Sequence, residues 1–168
     1  PVLNAVPHVL DRDEIHWYVS EFAWSAQAAQ RAGADGVDLH LNHDDLMEWF
    51  VSPFANRRDD EYGGSLENRM RFLLESLSRI REANPETILA VRLNAFHACS
   101  GGFGVDSEDF RKPDSTEPLA LAHALEAAGV SILNPAINHP NLRGPERQHR
   151  PLSDSDRPHE HPLVALQR

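Results

Sequence analysis

The 168 residues are 40% hydrophobic and 25% charged, an ordinary balance for one globular domain with its own core. A formal charge of -10, with 16 basic residues scattered among 26 acidic ones, repels a phosphate backbone and argues against a nucleic-acid partner. No apolar run approaches the roughly 18 residues of a membrane span and no signal-peptide pattern opens the sequence, so a soluble, cytoplasmic protein is expected; the single Cys99 leaves no internal disulfide and fits a reducing compartment.

Asp11 followed by Glu14 has the form of a capping box, and Ile15, Val19, Phe22, Ala23, Ala26 and Ala29 then recur at helical spacing until Gly33. From Gly36 the period becomes two. Val37, Leu39 and Leu41 share one face and Asp38, His40 and Asn42 the other, which predicts a strand with one polar face. Ser65 is placed to cap a second helix carrying Leu66, Met70, Leu73, Leu74, Leu77 and Ile80, with Asn84-Pro85 as its stop. Ile88 to Leu93 reads as a second strand. Ser115 and Thr116 precede a third helix with Leu119, Ala122 and Leu125, ended by Gly129, and Val130 to Leu133 reads as a third short strand.

The predicted order α, β, α, β, α, β implies right-handed crossovers and a parallel sheet, either doubly wound or closed as a (β/α)8 TIM barrel. Periodicity does not choose between them. A complete barrel takes roughly 200 to 250 residues. A barrel here is therefore partial, with about three parallel strands and their helices over 1–134. The remainder, 135–168, is rich in Pro, Arg, His and Asp and reads as a loop-rich tail.

His40 lies near the C-terminal end of its strand, where parallel α/β folds open toward ligands; it reads either as a site residue or as a histidine hydrogen-bonded within the sheet. Arg92 lies on the strand face opposite Leu89, Val91 and Leu93, and an inward guanidinium requires an anionic partner. That partner is either a structural carboxylate such as Asp38 or a ligand. The HLNHDD run, with His40, His43, Asp44 and Asp45, also permits a metal-dependent hydrolase, but the context of a further ligand is missing and no metal is assigned. The run Asn56 to Arg69, NRRDDEYGGSLENR, reads as a rigid joint leading into a helix. Its Gly63 and Gly64 allow a sharp turn, and Arg58, Asp60, Glu61 and Arg69 are placed for a local charge network.

The same run resembles the signature segment of the Old Yellow Enzyme and 2,4-dienoyl-CoA reductase group. FAWSAQAAQRAGADGVDLH (Phe22 to His40), AVRLNAF (Ala90 to Phe96) and KPDSTEPLALAHALEAAGVSILN (Lys112 to Asn134) are similar to the flanking elements of that group. The resemblance implies a (β/α)8 barrel that binds FMN at its C-terminal mouth, is reduced by NADH or NADPH, and passes a hydride to a small-molecule substrate with an electron-poor alkene. It implies that Arg92 binds the flavin near N1 and the C2 carbonyl, and that His40 and His43 form the catalytic pair that grips a substrate oxygen.

Three departures bear on activity. Asp44 and Asp45 stand where the group has Gly-Tyr, the tyrosine being its proton donor, and a carboxylate is a poor replacement acid at neutral pH. Pro135, Ala136 and Ile137 stand where small polar residues are usual. The resemblance also covers only the central segment of such a barrel, so the chain is expected to be part of the active enzyme and to bind little FMN alone. The alternative is an inactive remnant serving as an interaction module, with sheet edges that lead to homo-oligomers or aggregation.

Overall fold

The computed structural model describes residues 8–43 and 45–136, so nearly all of the expected tail lies outside the described residues. Helix α1 (Arg12–Arg31) starts at the expected box: the Asp11 carboxylate accepts from the Glu14 N–H at 2.9 Å, and Glu14 accepts from the Asp11 N–H at 2.8 Å. Two otherwise unpaired donors are satisfied, and the bond from the Asp11 backbone holds the Glu14 carboxyl below its ordinary range. Strand β1 (Gly36–Leu41) follows, then two helices, α2 (Leu46–Val51) and α3 (Leu66–Ala83). The chain continues through β2 (Ile88–Asn94), α4 (Thr116–Ala127) and β3 (Ile132–Ala136).

Two expectations are corrected. Helix α2 interrupts the simple alternation: its residues are almost continuously apolar and carry no period long enough to announce a helix. Strand β3 begins and ends later than Val130 to Leu133, so Pro135 and Ala136 belong to a strand and not to the tail. Proline is tolerated there because β3 pairs on one side only among the described residues, and an edge strand can forgo a donor.

The sheet order is β1-β2-β3, with both pairs parallel. Leu39, Leu41, Leu89, Val91 and Leu93 form one core with Ile15 of α1, Phe72 and Leu77 of α3, and Leu121 and Leu125 of α4. Sequential strands are thus neighbours, and these helices cover one face of the sheet. That is an arc of a barrel; a doubly wound sheet would reverse its strand order and carry helices on both faces. No described helix is long and apolar enough to cross a membrane.

The 56–69 run is the joint between α2 and α3. A Cβ on Gly63 would sit 2.1 Å from the Arg58 carbonyl oxygen, and Gly64 has φ +80°, so the turn excludes larger residues at the first position and disfavours them at the second. Asn56 Nδ2 donates to the carbonyls of Phe50 and Tyr62, both at 2.7 Å. The anticipated single charge network is instead three separate pairs: Arg58 with Asp60, Arg12 with Glu61, and Arg69 with Glu117. The pairs separate because Arg69 points inward from α3 while Glu61 faces Arg12 of α1.

Tyr62 is buried and donates to Glu75 Oε2 at 2.9 Å; burial and that carboxylate push its phenol up to about 12. Tyr62→Phe is expected to lower stability by about 1 kcal/mol, the net worth of a hydrogen bond lost with little change of shape. Denaturant midpoints check this, and an unchanged midpoint would show that the bond contributes nothing beyond packing.

Candidate active site

Parallel pairing sets His40 opposite Arg92, and Arg92 opposite Asn134. Cross-strand partners leave the same face of a sheet, with strands about 4.8 Å apart. The three side chains therefore form one row toward the C-terminal ends of the strands, on the face away from the helical core. Asn134 was not singled out in the sequence; its parity at the end of the third strand was the available signal.

His40 Nε2 lies 3.2 Å from His43 Nδ1 and 3.4 Å from Asp45 Oδ2, so the two anticipated histidines do come together. His43 achieves this with φ 63°, in the left-handed region, while its N–H donates to Asn42 Oδ1 at 2.8 Å. A side chain in that region is uncommon and is held by its surroundings. Asp45 occupies the N-cap position of α2 without making a side-chain cap bond. Its carboxylate instead approaches His40, with both side chains well exposed at 36% and 52%, so the contact adds little stability.

Arg92 differs from every other half-buried arginine described so far. Its Nε is buried and makes no hydrogen bond, and among the described residues no carboxylate pairs with it. Asp38, the structural partner considered from sequence, is exposed and makes no such pair. An orphaned donor on this face is costly to bury, and an acceptor-rich anionic group would satisfy it.

Behind this row lies a buried cluster that sequence patterning missed. Glu48 Oε1 accepts from Asn94 Nδ2 at 2.8 Å and lies 3.2 Å from His97 Nε2, while His97 Nδ1 is 3.2 Å from Ser52 Oγ. Its members come from an unpatterned helix and its C-cap, from the last residue of β2 and from the loop after it, so no spacing links them. Among the described residues, no group of three or more His, Cys, Asp or Glu could hold a metal ion; Asp44 is not among those residues. The hydrolase alternative gains no support from His40, His43 and Asp45.

Residues 2–113 match the NADH:flavin oxidoreductase / NADH oxidase family. The chain belongs to that family. It is 37% identical over 131 residues to the cinnamate reductase of Clostridium sporogenes, covering 74% of this chain and 20% of that protein. To the NADPH dehydrogenase of Clostridium acetobutylicum it is 42% identical over 103 residues, covering 61% of this chain and 30% of that protein. Among solved structures, morphinone reductase in complex with tetrahydroNAD superposes with a TM-score of 0.61 at 35% identity, covering 76% of this chain and 33% of that one. The Old Yellow Enzyme homologue from Zymomonas mobilis gives a TM-score of 0.64 at 28% identity, covering 79% of this chain and 36% of that one. The chain thus spans between about a fifth and about a third of the length of these family members. Its three strands are an arc of their TIM barrel.

Proposed function

We propose that this chain supplies part of the flavin and substrate site of an FMN-dependent oxidoreductase, reduced by NADH or NADPH and acting on a small molecule with an electron-poor alkene. The carrying observation is the buried, unpartnered Arg92 Nε on the ligand face. A guanidinium there fits the edge of the flavin at which reduction places negative charge, and a fixed cation at that edge favours the reduced form. Bound FMN would supply hydride chemistry that no side chain of this protein offers.

His40 and His43 act on the substrate. Their ring nitrogens lie within hydrogen-bonding distance of each other, and an oxygen of the substrate would take the place of one of those contacts. Donation to that oxygen draws electron density from the conjugated carbon and makes it a better hydride acceptor. Asp45 fixes the orientation of His40 by its contact with Nε2. Because this segment supplies only part of the barrel, the function is tested in a complete barrel that carries it, by titration with FMN followed by addition of NADH or NADPH. Quenched flavin fluorescence and bleaching of the yellow absorbance are expected; a colourless protein that ignores both ligands would sink the proposal.

Asp45→Tyr restores a phenol at the position where the family resemblance places its proton donor. Alkene reduction is expected to rise about 100-fold, the lower range of a positioned general acid. An unchanged rate would show that another group or water delivers the proton. A second reading, an interaction module, is favoured by Ile132 and Leu133 on the outermost described strand, which are 53% and 39% exposed. Concentration-dependent self-association without flavin binding would favour that reading.

A further inference from the structure

The His43 turn and Arg92 reach the candidate site from different elements. The buried cluster joins those elements. Glu48 belongs to α2, the helix that begins directly after Asp45, and is 3% exposed. Asn94, its hydrogen-bond partner at 2.8 Å, is two residues beyond Arg92 and so leaves the same face of β2. His97 reaches Glu48 from beyond the end of β2 and touches Ser52, the residue that caps α2. A carboxylate buried this deeply is retained only when its oxygens are well supplied with donors, and Asn94 and His97 provide them.

Helix α2 has only six residues, too few to hold a fixed position by its own backbone bonds. It is secured through side chains at both ends. Arg69 Nη1 donates to the Val51 carbonyl at its C-terminal end, and Glu48 ties its first turn to β2. Movement of α2 would carry Asp45 and the strained His43 turn with it, changing their distance from Arg92.

We propose that Glu48 is a positioning residue: through Asn94 and His97 it fixes the His40–His43 pair relative to Arg92. The proposal rests on reading that row as the flavin and substrate site. Its physical content is a link between two loops of the sheet's C-terminal edge, so that the substrate-gripping pair and the flavin-facing cation move as one unit. Replacing the Glu48 carboxyl with an amide loosens the link while every residue of the row keeps its identity.

The test is side-chain NMR of the 15N-labelled full chain, read at the imidazoles of His40 and His43 and at the Arg92 guanidinium. In Glu48→Gln these signals are expected to shift or broaden while the amide signals of α1 and α3 stay put. Unchanged signals of His40, His43 and Arg92, with only a fall in thermal stability, would overturn the proposal and leave Glu48 a structural residue. Should Glu48→Gln fail to fold, Asn94→Ala cuts the same link at its β2 end; it is expected to shift the His40 and His43 signals, and their constancy would equally overturn the proposal. Adding FMN to a complete barrel that carries this segment separates the two claims. Shifts at His40 and Arg92 support the flavin reading, whereas their absence sinks that reading without altering what the Glu48 variants report about the link.

Discussion

Arg69→Ala should destabilise the folded chain by about 3 kcal/mol, a large share of the roughly 5 to 15 kcal/mol that holds a domain together. The side chain is almost fully buried, and it serves three acceptors on three segments: the Gly64 carbonyl from Nε at 3.1 Å, the Val51 carbonyl from Nη1, and Glu117 from Nη2. Alanine leaves the buried Val51 carbonyl without this donor, at a cost of about 1 kcal/mol or more, turns the Gly64 carbonyl of an exposed residue toward water, and empties the space of the stem. Glu117 is 38% exposed and turns to water, which keeps the loss below that of a fully buried pair. Lysine should recover little, because one ammonium cannot span the three directions of the guanidinium fork. Urea unfolding followed by tryptophan fluorescence measures the change. A loss under about 1 kcal/mol would mean that water replaces the arginine at the Val51 carbonyl as well.

Arg92→Ala should do the reverse. Its buried Nε has no partner, so removing the side chain removes a desolvated donor along with some packing, and stability is expected to hold or rise slightly. In a complete barrel that carries this segment, flavin binding is where the loss should appear. A charge-assisted hydrogen bond contributes about 1.5 to 3 kcal/mol, which corresponds to FMN affinity weaker by roughly tenfold to 150-fold. Without the cation the flavin potential should also fall, and reduction by NADH or NADPH should slow. Flavin fluorescence titration and a redox titration read these two quantities. An unchanged potential and affinity would remove Arg92 from the cofactor site, and an Arg69-like loss of stability would show that it is a framework residue. The contrast between these arginines depends on partners and not on residue type.

Most of the framework was legible because it obeys local rules. The Asp11 box, the Ser65 cap and the period of Leu73, Leu77 and Ile80 place α1 and α3, and the parity of Leu39 and Leu41 against His40 places β1. Helix α2 was not legible, since six mostly apolar residues have no second turn against which to show a period. The end of β3 was hidden by Pro135, which is a breaker in most settings and is accommodated here by an edge. In the candidate site, parity was enough to turn His40 and Arg92 to one face. Their alignment in a row with Asn134 depends on strand register, which only pairing reveals. The Glu48 to Asn94 bond spans 46 residues and is fixed by tertiary packing, beyond the reach of any local pattern.

Strand register also determines how this site can change over time. Each of the three consecutive strands contributes one side chain to the polar row, while the opposite parity of β1 and β2 builds the core. Selection can therefore revise one position of the row while leaving its neighbours on the other strands and the packing beneath it intact. A single-residue insertion within a strand would be a different kind of event, exchanging the two faces beyond it. Substitution is thus the accessible route to a changed row here, and length changes are confined to the loops that join the strands to their helices.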